Sequence, residues 1–249
     1  MILAAGRGTR LGELAAELPK AMVEVAGRTL LAHQRGSLEA AGIAETHIVL
    51  GHGADRVRIH PDAAGLDVWV NTEYATTNMV ATLLCAEDPL DGTSDLIIAY
   101  GDIVYEPRLV TALFEVDAEV VVVVDLEWRD YWASRMEDPL SDAETLRMSD
   151  GGRLLEVGAQ PQSYDDIEAQ YIGLVRIRAD AIPHLRAEAQ RLTAENPGAF
   201  MTSLLQRLID GGRDVRVAPV TNGWLEIDRP GDLAIDISRF WKPSAQQIE

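Results

Sequence analysis

Five consecutive valines, Val120 to Val124, end a run that starts at Ala118, and they constrain the fold of this 249-residue chain more than any other feature. An uninterrupted β-branched run suits a strand buried on both faces, which calls for a parallel sheet covered by helices. Thr46-His-Ile-Val-Leu50, Leu66-Asp-Val-Trp-Val70 and Asp95-Leu-Ile-Ile-Ala99 are runs of the same kind, separated by helix-sized segments. The chain opens with the apolar Met1-Ile-Leu-Ala-Ala5, then the glycine-rich, basic Gly6-Arg-Gly-Thr-Arg-Leu-Gly12, then an amphipathic pattern from Thr29 to Ala41 closed by Gly42. That order reads as strand, loop, helix. After Asp125 the rhythm changes to a Trp-rich, charged stretch, and Glu144 to Val157 reads as two short strands around Ser149-Asp-Gly-Gly152. Alternation resumes with a strand at Tyr171 to Ile177. Met201, Leu204, Leu205, Leu208 and Ile209 then form a helical stripe, followed by strands at Val215 to Val220 and Trp224 to Ile227 and a final helix from Pro230. Ser244 to Glu249 is expected to be a frayed tail. The fold class is therefore α/β, a Rossmann-like, mostly parallel sheet flanked by helices. It is one compact domain in which residues 1–125 and 171–249 form the core and residues 126–170 an inserted lobe over one end of the sheet.

Charge narrows the ligands. With 40 acidic against 22 basic residues the formal net charge is −18, so a long polyphosphate backbone would be repelled and nucleic acid is excluded as a partner. A small anion must be met by local donors, and Arg7, Arg10 and Lys20 all fall in the first twenty positions. No run approaches membrane-spanning length, and arginines after the first apolar run are in the wrong order for a signal peptide; a cytoplasmic location is expected. Cys85, the single cysteine, lies among apolar residues and reads as a buried helix position. The five histidines show no paired metal-ligand spacing, so zinc is not expected.

Closely spaced glycines after a strand let backbone N–H groups approach phosphates. The loop lacks G-x-x-x-x-G-K-[ST], and Leu11 breaks G-x-G-x-x-G, so neither a P-loop nor a dinucleotide fingerprint is present. Lys20 stands out because the chain has only one other lysine, Lys242, against twenty arginines. A compact ammonium suits a point contact with phosphate oxygens. Asp102 follows an apolar strand in Tyr100-Gly-Asp102, and Glu226 and Asp228 alternate with Ile227, so both carboxylates share one face. Mg²⁺ needs only one or two protein carboxylates besides phosphate oxygens, so Asp102 and Asp228 suffice, with Glu226 as a third ligand or supporting partner. The alternative for Asp228 is a cap on the last helix.

The string Leu3-Ala-Ala-Gly-Arg-Gly-Thr-Arg-Leu11 followed by Pro19-Lys20 resembles the signature of the nucleotidyltransferase family that includes sugar-phosphate pyrophosphorylases and cytidylyltransferases. The resemblance implies the nucleotide-diphospho-sugar transferase type of sheet, with residues 1–125 as its nucleotide-binding part. Leu3, Ala4, Ala5 and Gly6 would lie along the base and ribose, and Gly8, Thr9 and Arg10 would cradle the phosphates. Lys20 would neutralise charge near the reacting phosphorus. Asn71-Thr-Glu-Tyr74 and Asn78-Met-Val-Ala-Thr-Leu-Leu84 look like a pattern of choline-phosphate and phosphonate cytidylyltransferases, which points to CTP and adds Asn78, Thr82 and Gly101 to the nucleotide side. Trp132-Ala-Ser-Arg135, Asp138 to Glu144, Glu168 to Leu174, Met201 to Gln206 and Trp224 to Asp228 are similar to cytidylyltransferases of phosphonate biosynthesis, often found beside or fused to phosphoenolpyruvate mutase.

That resemblance implies transfer of CMP from CTP to a small alkylphosphonate, such as 2-hydroxyethylphosphonate or 2-aminoethylphosphonate, with release of pyrophosphate. Arg10, Lys20, Asp102 and Asp228 would be the catalytic set and Mg²⁺ the cofactor. Arg135, Glu168, Gln170, Tyr171 and Trp224 are the candidate acceptor contacts. Trp128, Trp132, Tyr171 and Trp224 are alternatively a cage for a quaternary ammonium or ordinary packing. Choline-phosphate and sugar-1-phosphate transfer are the neighbouring readings, and a non-catalytic nucleotide-binding module is the reading from another class. The oligomeric state is left open.

Overall fold

The computed structural model describes residues 1–12 and 19–243; the tail expected at Ser244 to Glu249 lies outside them. In chain order the main elements are β1 (Ile2–Ala4), β2 (Glu24–Val25), β3 (Arg28–Thr29), α1 (Leu30–Ala40), β4 (His47–Leu50), α2 (Ala54–Arg58), β5 (Asp67–Val70), α3 (Met79–Leu84), β6 (Leu96–Tyr100) and β7 (Ile103–Tyr105). They continue with α4 (Pro107–Glu115), β8 (Val120–Asp125), α5 (Trp128–Arg135), β9 (Leu146–Met148), β10 (Leu154–Val157), β11 (Gln170–Ile177), α6 (Ile182–Glu195), α7 (Met201–Asp210), β12 (Val215–Val220) and β13 (Trp224–Glu226).

Seven strands form the central sheet in the order β12-β8-β11-β6-β1-β4-β5. Only β11 runs antiparallel to its neighbours. The valine run is β8, and its residues alternate between two cores: Val121 and Val123 join the cluster that includes α1, α4 and α5, while Val120, Val122 and Val124 join the one that includes α3, α6 and α7. Burial on both faces is thus the physical reason for an apolar run without alternation. Thr29 starts α1 by accepting a hydrogen bond from the Ala32 N–H at 3.0 Å, and Gly42 ends it at φ +83°.

Residues 126–170 contribute to both cores. Trp128, Tyr131 and Trp132 of α5 are buried on one side of the sheet, and Leu146, Leu154 and Val157 of the antiparallel β9–β10 hairpin on the other. The strand expected at Trp224 to Ile227 is β13, which pairs antiparallel with β7 as a separate ribbon. Two local expectations need correction. Among the described residues no α-helix follows Pro230; the chain makes two short 3-10 turns, Pro230–Leu233 and Ile237–Arg239, because the Asp232 carboxylate folds back on the Asp228 and Arg229 N–H groups and buried Phe240 and Trp241 pull the chain inward. Cys85 sits at the C-terminal cap of α3, half-buried, its thiol donating to the Ala81 carbonyl. No helix among the described residues is long and apolar enough to cross a membrane.

Candidate active site

The chain runs from β1 to β4 and β5 on one side, then returns to β6 on the other, so direction reverses between β1 and β6. Ligands of open α/β sheets bind at the carboxyl ends of strands at such a reversal. Here β1 delivers Ala5 and the glycine loop, and β6 delivers Gly101 and Asp102. The two strand ends touch: the Gly101 N–H donates to the Leu3 carbonyl at 2.9 Å, and a Cβ on Gly101 would lie 2.8 Å from Ala4 Cα and from the Leu3 oxygen. Only glycine permits that approach. Buried Gln34 of α1 donates to the carbonyls of Tyr100 and Ile103, at 3.0 and 2.8 Å, and so fixes the turn that carries Asp102.

A cleft of about 360 Å³ opens above this junction. Leu3, Ala4, Ala5, Gly6, Gly8 and Thr9 line one part of it, as expected, with Gly8 in the left-handed conformation (φ 62°) that starts the turn Thr9–Leu11. Asn78, Thr82 and Gly101 line it too. Asn78 caps α3 by accepting from the Met79 N–H at 2.9 Å, and buried Asn71 donates to the hydroxyls of Thr77 and Thr82, both at 3.0 Å, which shapes the opposite wall.

At one end of the cleft Lys20, Arg10, Asp102 and Asp228 converge, with Asp142 beside them. The Lys20 ammonium donates to Asp102 Oδ2 at 2.9 Å and also to Asp228 Oδ1. Arg10 lies 2.7 Å from Asp228 Oδ2 and 3.4 Å from Asp142 Oδ1. Residues 102 and 228 are brought together by the β7–β13 ribbon, where Ile103 faces Glu226, and the Ile227 N–H donates to the Asp102 carbonyl at 2.8 Å. Burial alone would pull the Lys20 pKa down, but the two aspartates and their hydrogen bonds outweigh it and hold the ammonium well above the ordinary lysine value.

Other candidates lie elsewhere. Glu226 is absent from the cleft lining and pairs with Arg135 at 2.6 Å. Desolvation raises the Glu226 pKa against the opposing pull of Arg135. Arg135 is itself sealed, with 1% of its side chain exposed, and pairs bidentately with Asp232. It is therefore not presented to an acceptor. Trp224 is buried, its indole N–H donating to Asp125 at 2.9 Å, and Trp128 and Trp132 are core residues; packing, not a cage, accounts for all three. Gln170 is buried against the Glu144 backbone, Glu168 accepts from the Met148 N–H, and Tyr171 packs edge-on to Tyr100; none of these three lines the cleft. Asp228 does not cap a helix: Asp232 does the capping. Arg7, one of the three expected anion donors, lines the cleft, whereas sequence reasoning missed Tyr74, Thr77, Met79 and Phe200. Tyr74 carried a signal, since it ends the Asn71-Thr-Glu-Tyr74 string; Phe200, 56% exposed beside α7, carried none.

Comparison with known proteins follows the same outline. Residues 1–190 match the family described as MobA-like NTP transferase domain. The chain is 35% identical to the CTP:phosphoglutamine cytidylyltransferase of Campylobacter jejuni, over 96% of this chain and 99% of that one. It is 30% identical to the CMP-5'-(3-aminopropyl)phosphonate synthase of Streptomyces rubellomurinus, over 99% of this chain but only 39% of that longer protein. Among solved structures it superposes on the CTP:phosphocholine cytidylyltransferase of Streptococcus pneumoniae with a TM-score of 0.70, covering 94% of each chain at 19% identity, a likeness of fold. With the strand-end cleft described above and the family match running from the first strand into α6, the chain belongs to the MobA-like NTP transferase domain family.

Proposed function

We propose that this protein transfers CMP from CTP to a small phosphonate or phosphorylated acceptor and releases pyrophosphate. The observation that carries the reading is the Lys20 ammonium held between Asp102 and Asp228 at the end of a glycine-lined cleft. An acceptor oxygen forms a bond to the α-phosphorus in line with the bond that breaks, and the leaving oxygen keeps its electron pair as pyrophosphate. An ionised phosphonate or phosphate is already a nucleophile, so no protein nucleophile is required. The work left to the protein is positioning and charge stabilisation.

The Gly6 to Arg10 loop would seat the triphosphate, with glycines allowing close backbone approach. Arg10, with 59% of its side chain exposed, is free to exchange its carboxylate partners for phosphate oxygens. Lys20 stays charged throughout the neutral range and faces the developing negative charge.

The residues present fit Mg²⁺. Asp102 Oδ1 is buried without a hydrogen-bond partner, directly beside the contact with Lys20. Asp102 and Asp228 would hold the ion, completed by phosphate oxygens; no three acidic, histidine or cysteine side chains form a full cage among the described residues. When bound, Mg²⁺ would screen the two anions from each other and polarise the phosphoryl oxygens. Glu226, held by Arg135, is left out of the ligand set.

For the acceptor, the two relatives named above support a small phosphoryl or phosphonyl compound, with alkylphosphonates such as 2-hydroxyethylphosphonate and 2-aminoethylphosphonate in that class. Phosphocholine is less favoured, because the tryptophans that would cage it are packed in the core. A supplier of the phosphonate with phosphoenolpyruvate mutase chemistry and a cytoplasmic setting, where CTP is available, go with the same proposal. The test is pyrophosphate release with Mg²⁺ and each of CTP, ATP, GTP and UTP, against 2-hydroxyethylphosphonate, 2-aminoethylphosphonate, 3-aminopropylphosphonate, phosphoglutamine, phosphocholine and glucose 1-phosphate. Turnover confined to CTP with a phosphonate or phosphoglutamine is the expected result. Turnover with glucose 1-phosphate alone, or with no pair, rejects it.

A further inference from the structure

Arg135, on α5, reaches the segment that carries Asp228 from far away in sequence, and it grips that segment on both sides. Its Nη1 lies 2.6 Å from Glu226 Oε2, two residues before Asp228. Its Nε and Nη2 donate to the two oxygens of Asp232, at 3.0 and 3.2 Å, four residues after. Asp232 Oδ2 in turn accepts from the backbone N–H groups of Asp228 and Arg229, both at 2.8 Å. The Arg135 and Asp232 side chains are each only 1% exposed. The guanidinium rests against the rings of Tyr131 and Trp132, 5.2 and 5.4 Å from their centroids, and the Tyr131 hydroxyl accepts from the Glu226 N–H at 2.8 Å. Arg135 and its partners therefore surround the Asp228 backbone without any of them lining the cleft.

We infer that Arg135 and Asp232 are positioning residues that hold the Asp228 carboxylate against Lys20 through the Asp228 backbone. Asp228 is 3% exposed at its side chain and makes contacts with two cations, so a small shift of its backbone would break the geometry of both. A fork of fixed geometry is needed to span Glu226 and Asp232 at once; a lysine at position 135 would keep the charge but lose the span. Burial would suit a purely structural pair equally well. The direct contact from Asp232 to the Asp228 N–H distinguishes this one.

The test exploits the two lysines of the chain. In protein labelled with ¹⁵N-lysine, only Lys20 and Lys242 give side-chain signals, so the Lys20 environment is read without any substrate. In Arg135→Gln, which adds no third lysine, the Lys20 signal is expected to move while Lys242 stays. Because the inference rests on the proposed reaction only for its kinetic arm, kcat is expected to fall on the order of 10²-fold with KM for CTP little changed, the signature of misplacement rather than lost binding. Asp232→Asn, which keeps the side-chain size, is read in the same way if the first variant does not fold. An unmoved Lys20 signal in either folded variant overturns the inference, whatever the turnover. A moved signal in a protein whose parent releases no pyrophosphate supports the positioning role and rejects the reaction.

Discussion

Two charged clusters meet at Asp228, and only one of them is open to a ligand. In the cleft, Arg10 has 59% of its side chain exposed and Lys20 16%, and each is paired with carboxylates that a phosphate could replace as partners. Behind it, Arg135 and Asp232 are sealed at 1% each. Arg10, the exposed member of the open cluster, can exchange partners at low cost because water screens it, while Lys20 and Asp228 are largely buried. In the sealed cluster neither ion can lose its partner without stranding the other in a medium of low polarity. Around Asp228 the cations thus stand in two states, one poised for an anion and one consumed in holding an anion-binding wall.

The largest expected effect breaks the sealed cluster. Arg135→Ala should destabilise the fold by about 3–5 kcal/mol, read from urea unfolding, because Asp232 and Glu226 lose their counter-ion. An equally stable variant would show that the pair is not sealed in solution. Next in size, Asp228→Ala or Asp102→Ala should lower kcat on the order of 10²–10³-fold at fixed Mg²⁺, with a native unfolding curve. Loss of structure instead of turnover would reverse the contrast between the two clusters. Gly101→Ala pushes a methyl group into the Leu3–Ala4 backbone and should cost about 1–3 kcal/mol of stability. A neutral outcome would mean that β1 and β6 can separate at the cleft floor.

Arg10→Ala sharpens the open side: it should raise KM for CTP more at low ionic strength than at high, while stability changes by about 1 kcal/mol or less. The smallest effect concerns Glu144, whose pKa burial raises above the ordinary 4.5, with a hydrogen bond from Thr202 opposing and Asp142 adding to the rise. A carboxyl group whose folded-state pKa is raised binds its proton more tightly when folded. Stability therefore falls as pH rises from the unfolded value through the raised one. Glu144→Gln removes that fall, so its Tm should exceed the parent's at pH 7 by at most about 2–4 °C and match it near pH 4. A gain at both pH values would place the effect in packing.

Much of the sheet was legible because its signals are local. The valine run, the Thr29 cap, the Ser149 to Gly152 turn and the α7 stripe each state their structure within a few residues. Lys20 and the pairing of Asp102 with Asp228 were read from residue type and position and reinforced by a family pattern; no local property of either aspartate says that a ribbon of β7 and β13 will join them across the chain. Arg135 and Trp224, expected among the acceptor contacts, are instead buried in the scaffold, and Trp128 and Trp132 are packed, as the alternative to a cage had it. Glu226 and Asp228, expected to share one face, meet different partners: the strand ends at Glu226, which pairs with Arg135, and Asp228 beyond it pairs with Lys20.

By itself, then, the sequence determined which segments become strands and helices and where the backbone can come close to an anion, since hydrophobic period and glycine placement act over short stretches. Only the tertiary structure decided which charges stay open and which are sealed. A side chain's partner and exposure depend on segments distant in the chain, and desolvation acts on whatever the fold brings alongside.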